Sequence, residues 1–390
     1  MVEKPAPEHA SAFGPPPSDL GLYVHIPFCS SICSYCNFNR GLYDPDLKIR
    51  YVAALLREIG GAPAGVRADT IFFGGGTPSL LEPGEVGAII RAVEGRLDLA
   101  AGAEVTLETN PETIDRAKLE RFREAGVNRL SFGVQSFQDD ELKRLGRIHS
   151  ADRARAAVRE ARAAGFDNVS LDLMMWLPGQ SVSTWLSNVD ALIAAAPDHA
   201  SLYLLELYPN APLKEDMARS GWSLAPDDDA AEMYLTAMDR LEAAGLRQYE
   251  ISNVARPGRE SRHNVKYWSD GEWLAFGCGA HGTRAGVRTK NVAGTEEYIG
   301  RVMSGADPVT ERRVLSAGER LEEALFTGLR LVEGIDLDRF ASRYGVDVWR
   351  KYGTALQPYV DAGWLVHDAA RLRLTRAGML MANEVMAVFV

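Results

Sequence analysis

The sequence has few cysteines, no long apolar run and no basic cluster, and each shortage removes a class of protein. No stretch reaches the roughly 20 apolar residues needed to cross a bilayer. The first twenty residues, MVEKPAPEHASAFGPPPSDL, lack the apolar centre of a secretory signal, so a cytoplasmic location is expected. The net charge is -10 and no long Lys/Arg run is present, which leaves nothing to neutralise a phosphate backbone; no nucleic-acid partner is expected. Four cysteines in 390 residues, three of them packed into eight positions, cannot form a disulfide framework for a chain of this size. Reduced thiolates at that spacing suit a metal better than a bridge. No internal repeat longer than a βα unit is present.

With 46% of its residues hydrophobic, the chain can fill one large core and a smaller second domain. After a Pro-rich leader, short β-branched or aromatic runs alternate with Ala/Glu/Arg-rich stretches of helical period. The spacing predicts strands over Leu22–Ile26, Thr70–Phe73, Glu104–Leu107, Arg129–Phe132, Val169–Met174 and Ser201–Leu205. Amphipathic segments such as Leu47–Ile59, Arg116–Ala125, Ala151–Ala164 and Val182–Ala195 lie between them. Polar and Gly-rich sequence follows each strand, where barrel active sites are built, which favours a partial (β/α)6 barrel over an open doubly wound sheet. Beyond Pro209 the alternation fades into one long helix over residues 227–245 and the irregular segment YEISNVARPGRESRHNVKYW. From Leu315 the pattern becomes helices ending in GWLVHDAARLRLT, a small winged-helix-like unit with a strand–turn–strand. The expected parts are a leader (1–20), the barrel (21–215), a barrel extension (216–310) and the C-terminal domain (311–390).

Chemistry concentrates in HIPFCSSICSYCNF, which presents C-x-x-x-C-x-x-C directly after the first strand. Three thiolates fit a 4Fe–4S cubane with one iron left open. A structural zinc would want a fourth Cys or His, and the nearest candidates, His25 and Cys278, lie on the strand and far along the chain. Strand two ends in IFFGGGTPS, where three glycines let backbone approach a ligand and Thr77 offers a hydroxyl.

The cysteine spacing, with an aromatic before the last Cys, resembles the signature of radical S-adenosylmethionine (SAM) proteins. In that family SAM chelates the open iron and is cleaved by one electron, so the cofactor carries the hard chemistry. The strand ends LETNPET, SFGVQSF, RLGRIH and SLDLM extend the likeness, along nearly the whole chain, to the HemN/HemW branch. The resemblance implies an α/β partial barrel of the radical SAM type and a cluster on Cys29, Cys33 and Cys36. It also implies SAM surrounded by Tyr23, Tyr35, Gly76, Thr77, Glu108, Gln135, Arg147 and Asp172. Arg147 would suit the SAM carboxylate, and Asp172 or Gln135 its ribose hydroxyls.

Within the branch, oxygen-independent coproporphyrinogen III oxidases carry a further Cys two residues after the cluster, where this chain has Phe38, and a longer N-terminal extension. The segment His263-Asn264-Val265-Lys266-Tyr267-Trp268 matches the H-N-x-x-Y-W motif of the HemW type. That resemblance implies a haem chaperone with His263 holding haem, since imidazole is a natural axial ligand. A lone histidine would more simply satisfy a loop carbonyl; the complete motif reverses that preference. His281, in GCGAHG, is expected beside the cofactor, and Cys278 as a buried small apolar residue. Two features depart from the pattern. Trp176 stands where the family's D-L-M-x-G-L-P-G-Q has glycine, an indole expected to narrow the substrate space, and CNFNRG with Arg40 and Gly41 differs after the cluster.

The competing reading is an enzyme: a coproporphyrinogen III dehydrogenase, or a HemN-like C-methyltransferase that uses SAM on a natural-product substrate. The partners implied are haem or a porphyrin-like ligand, an electron donor such as flavodoxin or ferredoxin, and an apo-haemoprotein acceptor. A homodimer and a peripheral membrane contact are compatible with that role, although no basic amphipathic helix announces the latter.

Overall fold

The computed structural model describes residues 19–209, 211–368 and 370–390; the Pro-rich leader lies almost wholly outside the described residues. All six expected strands are present: β1 Leu20–Ile26, β2 Arg67–Gly75, β3 Asp98–Thr109, β4 Arg129–Gln135, β5 Val169–Met175 and β6 His199–Leu204. They pair in parallel in chain order. The intervening helices are α1 Pro45–Gly60, α2 Pro83–Arg96, α3 Arg116–Glu124, α4 Asp139–Arg144, α5 Ala151–Ala163 and α6 Val182–Ala194. Four of them start where a short polar side chain accepts from a first-turn amide: Asp44 from Leu47, Asp115 from Lys118, Ser150 from Arg153 and Ser181 from Thr184. Each such cap contributes about 1 kcal/mol.

Strand alternation sorts the side chains onto two faces. Leu22, Val24, Ile26, Ile71, Phe73, Leu107, Leu130, Phe132, Leu171 and Leu173 are buried in one core with helix residues such as Leu55, Ile59, Ile89, Leu119 and Val158. The alternate set, Tyr23, His25, Thr70, Thr106, Glu108, Arg129, Ser131, Ser170, Asp172 and Ser201, faces the other way, into the concave side. Parallel strands covered on both faces by helices read as nearly continuous apolar runs. Here the inner face is polar because it lines a lumen.

The barrel is not closed. Helices α7 Pro212–Ser220 and α8 Asp227–Ala243 lead to the short strands β7 Arg247–Gln248 and β8 Asn253–Ala255, and β8 pairs antiparallel with β6. After α9 Arg262–Trp268, strand β9 Trp273–Phe276 runs parallel to β1 on the opposite edge. Strands β10 His281–Arg284, β11 Val287–Asn291 and β12 Val309–Val314 add antiparallel beyond it, with α10 Thr295–Ser304 between the last two. The sheet has twelve strands in the order β12-β11-β10-β9-β1-β2-β3-β4-β5-β6-β8-β7. The segment read as irregular thus contains β8 and α9, and the expected boundary at residue 310 falls inside β12. The C-terminal unit has α11 Ala317–Gly328, α12 Leu337–Tyr344, α13 Val348–Asp361 and a three-stranded antiparallel sheet of β13 Ile335–Asp336, β14 Leu365–His367 and β15 Arg371–Leu374, with β15 central. Among the described residues no helix is long and apolar enough to cross a membrane.

Helix α9 plugs the barrel floor. The amides of Arg262 and His263 donate to Glu104, midway along β3, at 3.0 and 3.1 Å. His263 is fully buried, stacked on Phe72, with Nδ1 2.8 Å from the Thr70 hydroxyl and Nε2 2.7 Å from that of Tyr267. Burial pushes its pKa down to about 3, with Lys266 adding to the effect. His263 is therefore a neutral core histidine with both ring nitrogens bonded, and a nitrogen would reach haem iron only by giving up one of those bonds.

A candidate cofactor cavity at the barrel mouth

Beyond Ile26 the chain turns outward, and Phe28–Cys29 pairs in parallel with Gly41–Leu42, closing residues 29–42 into a loop over the strand ends. Gly41 N donates to Pro27 O at 2.7 Å and Tyr43 N to Cys29 O at 2.9 Å. Within the loop Cys36 N reaches Cys33 O, while Ser34 is tied to Leu145 after α4 and to Leu213 of α7. The glycine run makes room for this loop. Gly76 N donates to Ile26 O, Thr77 N donates to Phe28 O, and a Cβ on Gly76 would sit 2.7 Å from the Phe28 carbonyl. Gly75 has φ +116°, and a side chain there would strike the His25 ring.

The loop roofs a cavity of about 390 Å³ lined by Cys29, Cys33, Cys36, Tyr35, Gly76, Thr77, Glu108, Gln135, Arg147 and Asp172. These are the candidates named from the sequence apart from Tyr23 and His263. Tyr23 lies a layer lower: its ring stacks on Phe72 and its hydroxyl is 3.1 Å from His25 Nδ1. His25 Nε2 in turn meets the Asn39 carbonyl at 2.8 Å, so Tyr23 supports the loop from below and does not line the cavity wall. The sequence reading missed Ser131, Arg40 and Tyr203, which also line the wall. Ser131 and Tyr203 follow from strand alternation once Asp172 is known to face inward.

All four cysteines are free thiols. Burial pushes the Cys29 and Cys36 thiols up; a hydrogen bond from Thr77 Oγ1, 3.7 Å from Cys29 Sγ, works against this at Cys29, and Arg40 works against it at both. Arg147 Nη1 lies 3.6 Å from Cys33 Sγ, and Nη2 donates to the Gly133 carbonyl. Burial raises Glu108 to about 8, with Asp172 adding to the rise; its Oε2 accepts from Gly75 N at 3.1 Å. Asp172 is raised to about 6 by burial, opposed by hydrogen bonds from Ser201 and Ser131, the latter at 3.2 Å.

The residues fit a cluster and a polar ligand. Gln135 Oε1, Arg147 Nε and Arg40 Nε are buried without a hydrogen-bond partner, and buried polar atoms of that kind require explanation. Gln135 also holds a left-handed backbone, φ 67°, at the end of β4, the sort of strain that gathers at ligand sites. Among the described residues no three Cys, His, Asp or Glu side chains converge closely enough to hold a single ion. A cubane gives each thiolate its own iron, so it suits thiolates that line one cavity without meeting at one point.

Known proteins carry the same organisation. The family profile of the radical SAM superfamily matches residues 23–192, and that of the HemN C-terminal domain matches residues 315–381. The heme chaperone HemW of Bacillus subtilis is 36% identical over 371 residues, covering 94% of this chain and 98% of that protein. HemW of Escherichia coli is 35% identical over 95% of this chain and 98% of its own. The chain belongs to the HemN/HemW branch of the radical SAM superfamily. A mitochondrial relative from Bos taurus, radical S-adenosyl methionine domain-containing protein 1, is 38% identical over 98% of this chain and 90% of its own. The solved structure of Escherichia coli HemN, a coproporphyrinogen III oxidase, superposes with a TM-score of 0.84 at 21% identity over 95% of this chain and 90% of that one, which shows a shared radical SAM fold.

Two expectations change against this branch member's geometry, and a third holds. Trp176 has φ 64°, so it keeps the left-handed turn that a glycine would take for free. Its amide donates to Gln180 Oε1 at 2.8 Å and its indole Nε1 to the Ala225 carbonyl at 2.8 Å. The indole ties down the segment before α8 and is absent from the cavity wall, so it does not narrow the substrate space. His281 is exposed at the start of β10 and likewise absent from that wall. Cys278 is fully buried beside Asn39 and Thr295, as expected of a small apolar residue.

Proposed function

We propose that this chain is a radical SAM haem chaperone, which binds haem and passes it to apo-haemoproteins. The observation that carries this reading is the near full-length similarity to several heme chaperones HemW, at 33–37% identity over 94–99% of the chain. The likeness to HemN, at 21% identity, is one of fold and lends the coproporphyrinogen-oxidising or methyl-transferring alternative no comparable support.

In this reading Cys29, Cys33 and Cys36 hold a 4Fe–4S cluster whose fourth iron is open, and bound cluster and SAM supply one-electron cleavage chemistry. Thr77 and Arg40, set against the thiols, offset the charge of the ligated cysteines. Glu108 and Asp172, ionised by a cationic ligand, would face the amino and ribose groups of SAM, and Gln135 would find the partner it lacks. Arg147, buried and with Nε unpaired, would take the SAM carboxylate. Tyr35 would close one side of the cavity. Partners are haem, a reductant such as a flavodoxin or ferredoxin, and an acceptor haemoprotein. A cytoplasmic protein able to dimerise and to meet a membrane peripherally completes the proposal.

The test is an anaerobic haem titration of the cluster-reconstituted protein, followed by addition of an apo-haemoprotein. Near-stoichiometric growth of a Soret band, then its transfer to the acceptor, is expected. A wild-type protein that gives no Soret change sinks the reading and turns attention to radical catalysis.

A further inference from the structure

His263 is fully buried, with Thr70 on one ring nitrogen and Tyr267 on the other, so haem iron reaches it only where one of the two lets go. The way in follows from what else Tyr267 touches. A cavity of about 60 Å³ lies in the seam between the barrel extension and the C-terminal unit, and its wall includes Tyr267, Trp273, Leu315, Arg320 and Arg343. Tyr267 and Trp273 meet edge to face, ring centroids 4.5 Å apart. Tyr267 therefore links His263, which does not line the cavity, to a space bounded by aromatic rings and guanidinium groups.

A space of that size holds about two waters and no macrocycle, so the seam has to part. The contacts that close it are few and polar. Asp270, two residues past α9, has a left-handed backbone at φ 55° and is gripped by α12, with Arg343 Nε at 2.8 Å and the Tyr344 hydroxyl at 2.6 Å from its carboxylate. Arg339 Nη2 donates to the Ser269 carbonyl at 3.1 Å, and Arg330 lies over the Trp268 ring at 4.3 Å. Trp268 Nε1 is buried without a hydrogen-bond partner, an unmet donor beside the same contacts. Burial pushes the Asp270 carboxyl up; the Tyr344 hydrogen bond, then Arg343, Arg320 and Arg339, pull it back. Three guanidinium groups thus crowd one carboxylate. Of the other charges here, Arg288 is matched by Glu323 at 2.7 Å, Glu272 accepts from the Ala285 amide, and Asp336 caps α12. Arg320 is held by no ion pair or side-chain hydrogen bond among the described residues. The amides of Ile251 and Val332 donate to the carbonyls of Arg330 and Tyr249 at 3.0 Å each, so the C-terminal unit stays attached when the Asp270 contacts part.

We propose that haem binds in this seam: its propionates draw Arg320 and Arg343 away from Asp270, α9 is released, and His263 Nε2 exchanges the Tyr267 hydroxyl for the iron while Tyr267 and Trp273 flank the macrocycle. Coordination requires the tautomer whose proton sits on Nδ1, donated to Thr70, so that Nε2 gives up an accepted hydrogen bond and offers its lone pair to iron. The arginine–carboxylate pairs lost with Asp270 are regained with the propionates. The same arginines are the latch of the empty protein and the anchors of the loaded one. A ligand opens a closed seam only by binding the open state better, and the propionates supply that difference. The inference rests on the haem-binding reading and assigns the part of the chain that admits the macrocycle.

The experiment uses the full-length, cluster-reconstituted protein, titrated at the Soret band with ferric haem and with haem dimethyl ester, whose propionates carry no charge. Wild type is expected to bind haem at least tenfold more tightly than the ester. Arg320→Gln combined with Arg343→Gln changes two residues that do not line the cysteine cavity. That variant is expected to keep the cluster absorbance, to bind haem at least tenfold more weakly than wild type, and to bind haem and ester alike. His263→Ala is expected to lose the Soret position of the coordinated haem. Equal binding of haem and ester by wild type overturns the proposal whether or not the double variant folds. So does wild-type haem affinity in a double variant that keeps its cluster, or an unchanged Soret position in His263→Ala. Each of these leaves a haem chaperone standing, whereas a wild type that binds neither compound removes the chaperone reading itself.

Discussion

Replacing Glu108 by Gln is expected to remove about 2–3 kcal/mol of the stability that the SAM-free protein loses as pH rises above 6. Glu108 is enclosed by the strand ends, faces Asp172, and receives the Gly75 amide, with Arg129 the nearby positive charge. Burial, then Asp172, holds its folded pKa at about 8 against the ordinary glutamate value of 4.5 in the unfolded chain. Above pH 4.5 the unfolded chain has released this proton and the folded protein has not, so stability falls as pH rises, until both states are ionised above pH 8. Between pH 6 and 9 the difference amounts to about 2–3 kcal/mol at 1.36 kcal/mol per unit. Asp172, at about 6, has completed most of its own contribution by the start of that window. Glutamine keeps the shape and the acceptor for Gly75 without the charge. Urea unfolding at pH 6 and 9 is the assay: wild type should lose about 2–3 kcal/mol more than the Glu108→Gln variant across that range. Equal losses in the two proteins would refute the reasoning. The same physics predicts that SAM, which carries an ammonium and a sulfonium, binds wild type more tightly as pH rises from 6 to 8, with a flatter profile in the variant.

Changing Cys29, Cys33 or Cys36 to Ala should each abolish the brown cluster absorbance after anaerobic reconstitution; retained iron and sulfide in all three variants would exclude the cluster. Trp176→Gly relieves a left-handed backbone costing about 1–2 kcal/mol but gives up the indole packing and its bond to Ala225, which together outweigh it. Net destabilisation of about 1 kcal/mol by urea midpoint, with SAM affinity unchanged, is expected, and altered SAM affinity at wild-type stability would return the indole to the cavity.

Much of the barrel was legible because its signals are local. Asp44, Asp115, Ser150 and Ser181 announce helices one residue ahead, and period-two runs mark strands wherever the outward face is apolar. The extension was not legible for the opposite reason. Strands β7 and β8 have two and three residues, and β9 pairs with β1 about 250 residues away, so nothing within a short window encodes them. The C-x-x-x-C-x-x-C spacing likewise identified the cysteine loop, and parallel strands deliver their C-terminal ends to one rim whatever the details of packing.

What the sequence determined by itself was therefore the fold class and the cysteine loop, consequences of short-range periodicity and spacing, while most of the cavity wall came from the resemblance to a known family. Tertiary structure decided which way each of three prominent side chains faces. Tyr23 sits at a strand position whose inward face lies below the cavity, and only the stacking on Phe72 and the contact with His25 reveal its level. Trp176 turns outward because the Ala225 carbonyl waits there. His263 stands in a motif that points to a ligand, yet Glu104 draws its helix under the barrel and Thr70 and Tyr267 take both ring nitrogens. A motif fixes which residues are neighbours along the chain; the depth at which they lie depends on partners contributed by distant strands.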